Sequence, residues 1–209
     1  MIHHQSHLTP VDLDKTFSLY VTEARRLQAQ FKNDIHILVG AETEYIHSDS
    51  IPRLLQLIKQ YQLDYVVGSI HHVEGIPIDF SEELFRKAEI QCQELLMLKG
   101  DNNHHNNHDI SMNGTEELFC RYFDLQYELL HRVKPQVIGH FDLCRMYRPN
   151  FPLTQRIWEK IKRNINVIIA YEGLIEINSR AWKKGLPGAY PMKDILEVCK
   201  ILKESEKAI

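Results

Sequence analysis

Tyr65-Val66-Val67-Gly68-Ser69-Ile70-His71-His72 is the stretch on which the fold turns. Its short, apolar, β-branched run predicts a buried strand over residues 65–70, and the strand runs into a pair of imidazoles. Downstream, Ser81 is a capping side chain with Glu82 and Glu83 in the first turn after it, which predicts a helix to about residue 98. Upstream, Ser48 to Ser50 cap a helix over residues 51–61 with Pro52 in its first turn. Before that helix, residues 35–39 repeat the strand composition and stop at Gly40. Residues 12–32 carry Leu13, Phe17, Tyr20, Ala24, Leu27 and Phe31 at mostly three- and four-residue steps, the pattern of an amphipathic helix. Strands alternating with helices imply an α/β fold with a mostly parallel sheet, either open and doubly wound or closed into a barrel. In both, ligands collect at the carboxyl ends of the strands.

The alternation continues after an interruption. Residues 101–113, Asp-Asn-Asn-His-His-Asn-Asn-His-Asp-Ile-Ser-Met-Asn, are polar and low in complexity, and are expected to form a disordered insertion. A helix is predicted over residues 115–133, a strand over 137–139, a helix over 154–170, a strand over 174–177 and a last helix after Pro191. The 209 residues fit one domain, 1–209. A net charge of -3 offers no basic field for a polyphosphate backbone, which turns expectation from nucleic acid toward small ligands. No run is long and apolar enough to span a bilayer, and the N-terminus has no secretory pattern. The four cysteines show no C-x-x-C pairing, which suits a reducing, cytoplasmic setting.

Each predicted strand is followed by chemistry. Glu42 comes two residues after Gly40, His71 three after Gly68, and His140 one and Asp142 three after Gly139. Taken singly, Glu42 is an ordinary surface carboxylate and each histidine an ordinary hydrogen-bonded imidazole. Equivalent positions on successive βα units would bring them together on a curling sheet, and mixed nitrogen and oxygen donors suit borderline divalent metals. The tract His104, His105 and His108 has no rigid flanks, and His3, His4 and His7 read as a loose terminus. Two cationic positions follow the candidates: Arg145, three residues after Asp142, and Lys183 with Lys184, just after Asn178. Arginine matches a phosphate with a fork, lysine with a point charge.

Val39-Gly40-Ala41-Glu42-Thr43-Glu44-Tyr45-Ile46, Val67 to Val73 with Ile76-Pro77-Ile78-Asp79, Ile138-Gly139-His140-Phe141-Asp142-Leu143 and Ile175-Glu176-Ile177-Asn178 together resemble the polymerase and histidinol phosphatase family, most nearly its fungal histidinol-phosphatases. Phe123 to Glu128 and Tyr190-Pro191 extend the likeness over nearly the whole chain. The resemblance implies a distorted, TIM-like (β/α)7 barrel with up to three divalent metal ions (zinc, manganese or iron). It also implies hydrolysis of histidinol phosphate to histidinol in histidine biosynthesis. By motif match, Glu42, His71 and His140 become metal ligands, Asp142 a carboxylate orienting the site from behind, Arg145 a catalytic phosphate contact and Lys183 a further substrate contact. The family's opening H-x-H and closing D-x-H motifs have no counterpart here, so the expected barrel is incomplete at both ends. A catalytically silent binding or regulatory protein on the same scaffold is the alternative.

Overall fold

The strand around which the sheet is built, β2 (Tyr65–Ser69), has a parallel neighbour on each side. In this computed structural model, which describes residues 9–98 and 110–206, β1 (Gly40–Glu44) flanks it on one side and β5 (Val137–Ile138) on the other, with β6 (Leu174–Ile175) beyond β5. The register pairs Glu42 with Val67, Gly68 with Ile138, and Ile138 with Ile175, so the carboxyl ends of all four strands lie on one rim. Between β2 and β5 a two-stranded antiparallel hairpin intervenes, β3 (His72–Val73) and β4 (Ile76–Pro77).

The helices are α1 (Pro10–Gln30), α2 (Ser50–Tyr61), α3 (Glu82–Leu98), α4 (Ile110–Arg132), α5 (Gln155–Ala170), the single turn α6 (Arg180–Lys183) and α7 (Lys193–Glu206). A capping box opens α1: the Thr9 hydroxyl accepts from the Asp12 N–H, and the Asp12 carboxylate accepts from the Thr9 N–H. Helix α4 lies between α3 and α5 and buries Leu118, Phe119, Tyr122 and Phe123 completely, each such aromatic or leucine contributing about 1.5–3 kcal/mol of burial. Two buried amides in this core are satisfied by each other and by backbone carbonyls. Asn164 of α5 donates to the Phe123 carbonyl and to Gln126, and Gln126 donates to the Phe141 carbonyl at 3.0 Å. That relay fixes the segment after β5.

Several expectations need correction. The first strand is residues 40–44, not 35–39, because Asp64 claims the backbone at Val39 from both sides: its carboxylate accepts from the Val39 N–H at 2.6 Å and its own N–H donates to the Val39 carbonyl at 2.8 Å. Ile35 and Leu38 are left exposed. The strands at 137 and 174 have two residues each, shorter than expected. The hairpin was not foreseen, since its turn is Glu74-Gly75, both at positive φ (52° and 73°), without the Asn-Gly usual for that geometry. Helix α4 starts at Ile110 and takes residues 110–113 from the expected insertion; the rest of that tract, and His3, His4 and His7, lie outside the described residues. The α/β architecture itself is as expected of an incomplete TIM-like barrel: the sheet has four parallel strands and, among the described residues, does not close into a seven-stranded ring. No described helix is long and apolar enough to cross a membrane.

Candidate metal centre

Residue alternation along β1 turns Thr43 and Tyr45 inward and leaves Glu42 and Glu44 on the opposite face, toward the strand-end rim. His71 follows the end of β2 and His140 the end of β5. Their reactive atoms converge: His71 Nε2 lies 3.0 Å from His140 Nε2, which lies 3.3 Å from Glu42 Oε1, and His71 Nε2 is 3.8 Å from that same oxygen. The three ligand atoms all lie within 4.8 Å of one another. Glu42 and His140 are 98 residues apart in the chain and His71 and His140 are 69 apart. They open onto a cavity of about 300 Å³.

Each member is held by a partner. Ser69 donates its hydroxyl to Glu42 Oε1 at 2.7 Å. Glu44 bridges two imidazoles, bonding His71 Nδ1 at 2.9 Å and His72 Nδ1 at 3.0 Å. Glu176, just past β6, accepts the His140 backbone N–H at 2.9 Å and the Asn178 side-chain amide at 3.1 Å. His140 has φ 24°, a sparsely populated conformation for a side-chain-bearing residue, and the Glu176 bond helps to hold it there. Asn178 and Tyr190 exchange backbone hydrogen bonds at 2.8 and 3.0 Å, which brings the Tyr190 ring edge-on to His140.

The electrostatics agree with a site poised for positive charge. The hydrogen bond to His140, helped by Ser69 and opposed by burial, lowers the pKa of Glu42 to about 2. Burial works against ionised Glu44, yet its bonds to His71 and His72 still lower its pKa to about 2. Burial likewise disfavours charge on His71, but Glu44 outweighs it and the pKa rises.

The donor set fits a divalent ion. With Glu44 ionised, His71 carries its proton on Nδ1, which leaves its Nε2 a lone-pair donor facing another imidazole nitrogen and a carboxylate oxygen. Such a cluster of acceptors needs a proton or a cation at its centre. A tetrahedral ion with bonds near 2.1 Å separates its ligand atoms by about 3.4 Å, close to the spacings here. Two histidines and a glutamate are also a donor set of zinc sites that keep a position open.

A model of the PHP domain matches residues 11–180. The chain belongs to the PHP-domain family. It is 45% identical over 197 residues to a probable histidinol-phosphatase of Schizosaccharomyces pombe, covering 92% of this chain and 58% of that protein. It is 28% identical over 218 residues to the histidinol-phosphatase of Saccharomyces cerevisiae, covering 90% of this chain and 59% of that one. This PHP chain thus spans a little under three fifths of the length of the curated relatives it matches. Its fold is similar to that of histidinol phosphate phosphatase from Lactococcus lactis, solved with zinc, L-histidinol and phosphate: the TM-score is 0.57 at 18% identity, over 90% of this chain and 62% of the other.

Not every residue that the resemblance named reaches the PHP site. Arg145 is buried, and its guanidinium is committed to both oxygens of Asp194 at 2.9 and 3.0 Å and to the Pro149 carbonyl at 3.2 Å; it does not line the cavity. Asp142 is fully buried behind His140. It accepts the Met192 N–H at 3.0 Å and has Arg145 at 3.7 Å, and burial raises its pKa to about 6. It anchors the segment after Tyr190. Lys183 is exposed and outside the cavity, whereas Lys184 lines it together with Arg180, Asp79 and Glu176. Glu44 and Glu176 are the contributors that motif reading missed. Glu44 could have been found from its two-residue offset from Glu42, which puts both on one face of a strand; Glu176 belongs to the Ile175-Glu176-Ile177-Asn178 motif.

Proposed function

We propose that this PHP chain hydrolyses a phosphate monoester, L-histidinol phosphate, to L-histidinol and phosphate, at a divalent ion (zinc, manganese or iron) held by Glu42, His71 and His140. The observation that carries the reading is the convergence of three lone-pair donors within 4.8 Å at the strand ends. The names of the two fungal relatives support the substrate. When bound, an ion of this kind supplies charge to neutralise phosphoryl oxygens and lowers the pKa of water. The chain's own residues do the rest. Glu44 holds the His71 proton on Nδ1 and so keeps Nε2 free to ligate, Ser69 aims the Glu42 carboxylate, and Glu176 fixes His140 through its backbone. Tyr190 contributes to the cavity wall beside His140.

The test is release of inorganic phosphate from L-histidinol phosphate by the purified chain at saturating zinc or manganese, with bound metal measured in parallel. Turnover above the metal-only blank is expected, and Glu42→Gln should lose both the metal and the turnover. A chain that holds its ion yet releases nothing above the blank overturns the proposal.

A further inference from the structure

Arg180 stands apart from the other ten arginines of the chain. Each of those ten has a carboxylate oxygen at 2.5–3.2 Å: Asp64, Glu23, Asp14, Glu82, Glu74, Glu128, Asp194, Glu89, Glu117 and Asp124 serve them in chain order. Arg180 has no carboxylate partner among the described residues, although acidic residues outnumber basic ones by 28 to 25. Scarcity of partners therefore does not explain it. Its side chain lines the cavity that the triad opens onto.

A second cation lies there too. Lys184 lines the same cavity, where its ammonium donates to the Met146 sulfur at 3.0 Å and has the Asp79 carboxylate as a supporting charge on the same wall without an ion pair to it. Two cations near each other repel unless an anion joins them. The base of Arg180 is also tied to the triad. Its backbone N–H donates to Asn178 Oδ1 at 2.9 Å, the Asn178 amide donates to Glu176, and Glu176 holds the His140 N–H. Two side chains thus separate the Arg180 backbone from that of a triad histidine, which sets the direction from which the guanidinium enters the cavity.

We propose that Arg180, assisted by Lys184, receives the phosphoryl oxygens in this cavity, the role that motif matching gave to Arg145 and Lys183. The guanidinium fork matches two oxygens of a phosphate, and the ammonium supplies a point charge beside it. The inference rests on the phosphatase reading for its ligand, and the experiment separates the two.

Zinc-loaded protein is titrated with inorganic phosphate by calorimetry, and KM is measured with L-histidinol phosphate. Arg180→Met should weaken phosphate by about tenfold or more, the loss expected of a hydrogen bond to a charged group, and raise KM, with zinc stoichiometry and thermal midpoint unchanged because the side chain is exposed. Arg180→Lys should recover part of the affinity, keeping charge without the fork. Lys183→Met should match the wild type. Equal phosphate affinity in Arg180→Met and wild type, or a loss in Lys183→Met as large as in Arg180→Met, overturns the assignment of Arg180. A wild-type chain that holds zinc but takes up no phosphate overturns the phosphatase reading itself.

Discussion

Glu44 and Arg145 show how a charged side chain's role depends on what reaches it through space. Glu44 is two residues from Glu42 on one face of β1 and spends both oxygens on imidazole nitrogens, so it orients donors instead of joining them. Glu44→Gln is expected to lower zinc affinity by about 10–100-fold, measured by competition with a chromophoric chelator, while the fold persists. Arg145 follows Asp142 closely enough to invite a reading as an anion contact, but Asp194, 49 residues away, arrives to neutralise it. Arg145→Met should cost about 2–3 kcal/mol in denaturant unfolding, below the full cost of breaking a buried pair because Asp194 is partly exposed. Glu42, His71 and His140 were legible because each follows a glycine that closes a predicted strand, although Gly40 opens β1 in the structure. The partner of Arg145 was not, since spacing says nothing of long-range burial.

The strand-end glycines acquire a reason at the level of elements. A Cβ built on Gly139 would lie 2.7 Å from the Ser69 hydroxyl and 3.1 Å from a Val67 methyl, so the approach of β5 to β2 leaves no room for a side chain. Ser69 is the residue that aims Glu42. Gly139→Ala should therefore cost about 1–3 kcal/mol in thermal or denaturant unfolding and also weaken metal binding, because the hydroxyl must move. The order of strands and helices could be read from periodicity, as the long helices α1, α3 and α5 attest. The start of β1 could not: residues 35–39 have strand composition, but the Ile35 N–H donates to the Phe31 carbonyl, the Gln28 amide to the Ile37 carbonyl and the Val39 N–H to the Asp64 carboxylate. The β3–β4 hairpin hid for a similar reason, with Glu74 held at its tip by Arg121 instead of by a turn-forming sequence.

At the scale of the molecule, four parallel strands form an open sheet whose edges, among the described residues, are β1 and β6. Beside β6 lies an apolar groove of about 910 Å³ lined by Ile165, Ile168, Ile175 and Leu196. Sequence patterning predicted strands that pair in parallel, but closure depends on how many strands complete the curve, which no local pattern encodes. The triad is a whole-molecule property as well, drawn from β1 and from the residues that follow β2 and β5, far apart in the chain. Zinc at a hundred times its dissociation constant should add about 2.7 kcal/mol to unfolding, raising the midpoint by about 5–10 °C in a calorimetric scan, and a chelator should reverse the rise. The span of 98 residues between Glu42 and His140 also has a temporal meaning. Helices form from neighbours, whereas this loop can close only after β1, β2 and β5 have found one another, so zinc capture during refolding should lag behind the return of helical circular dichroism and serve as a clock for the last long-range contact.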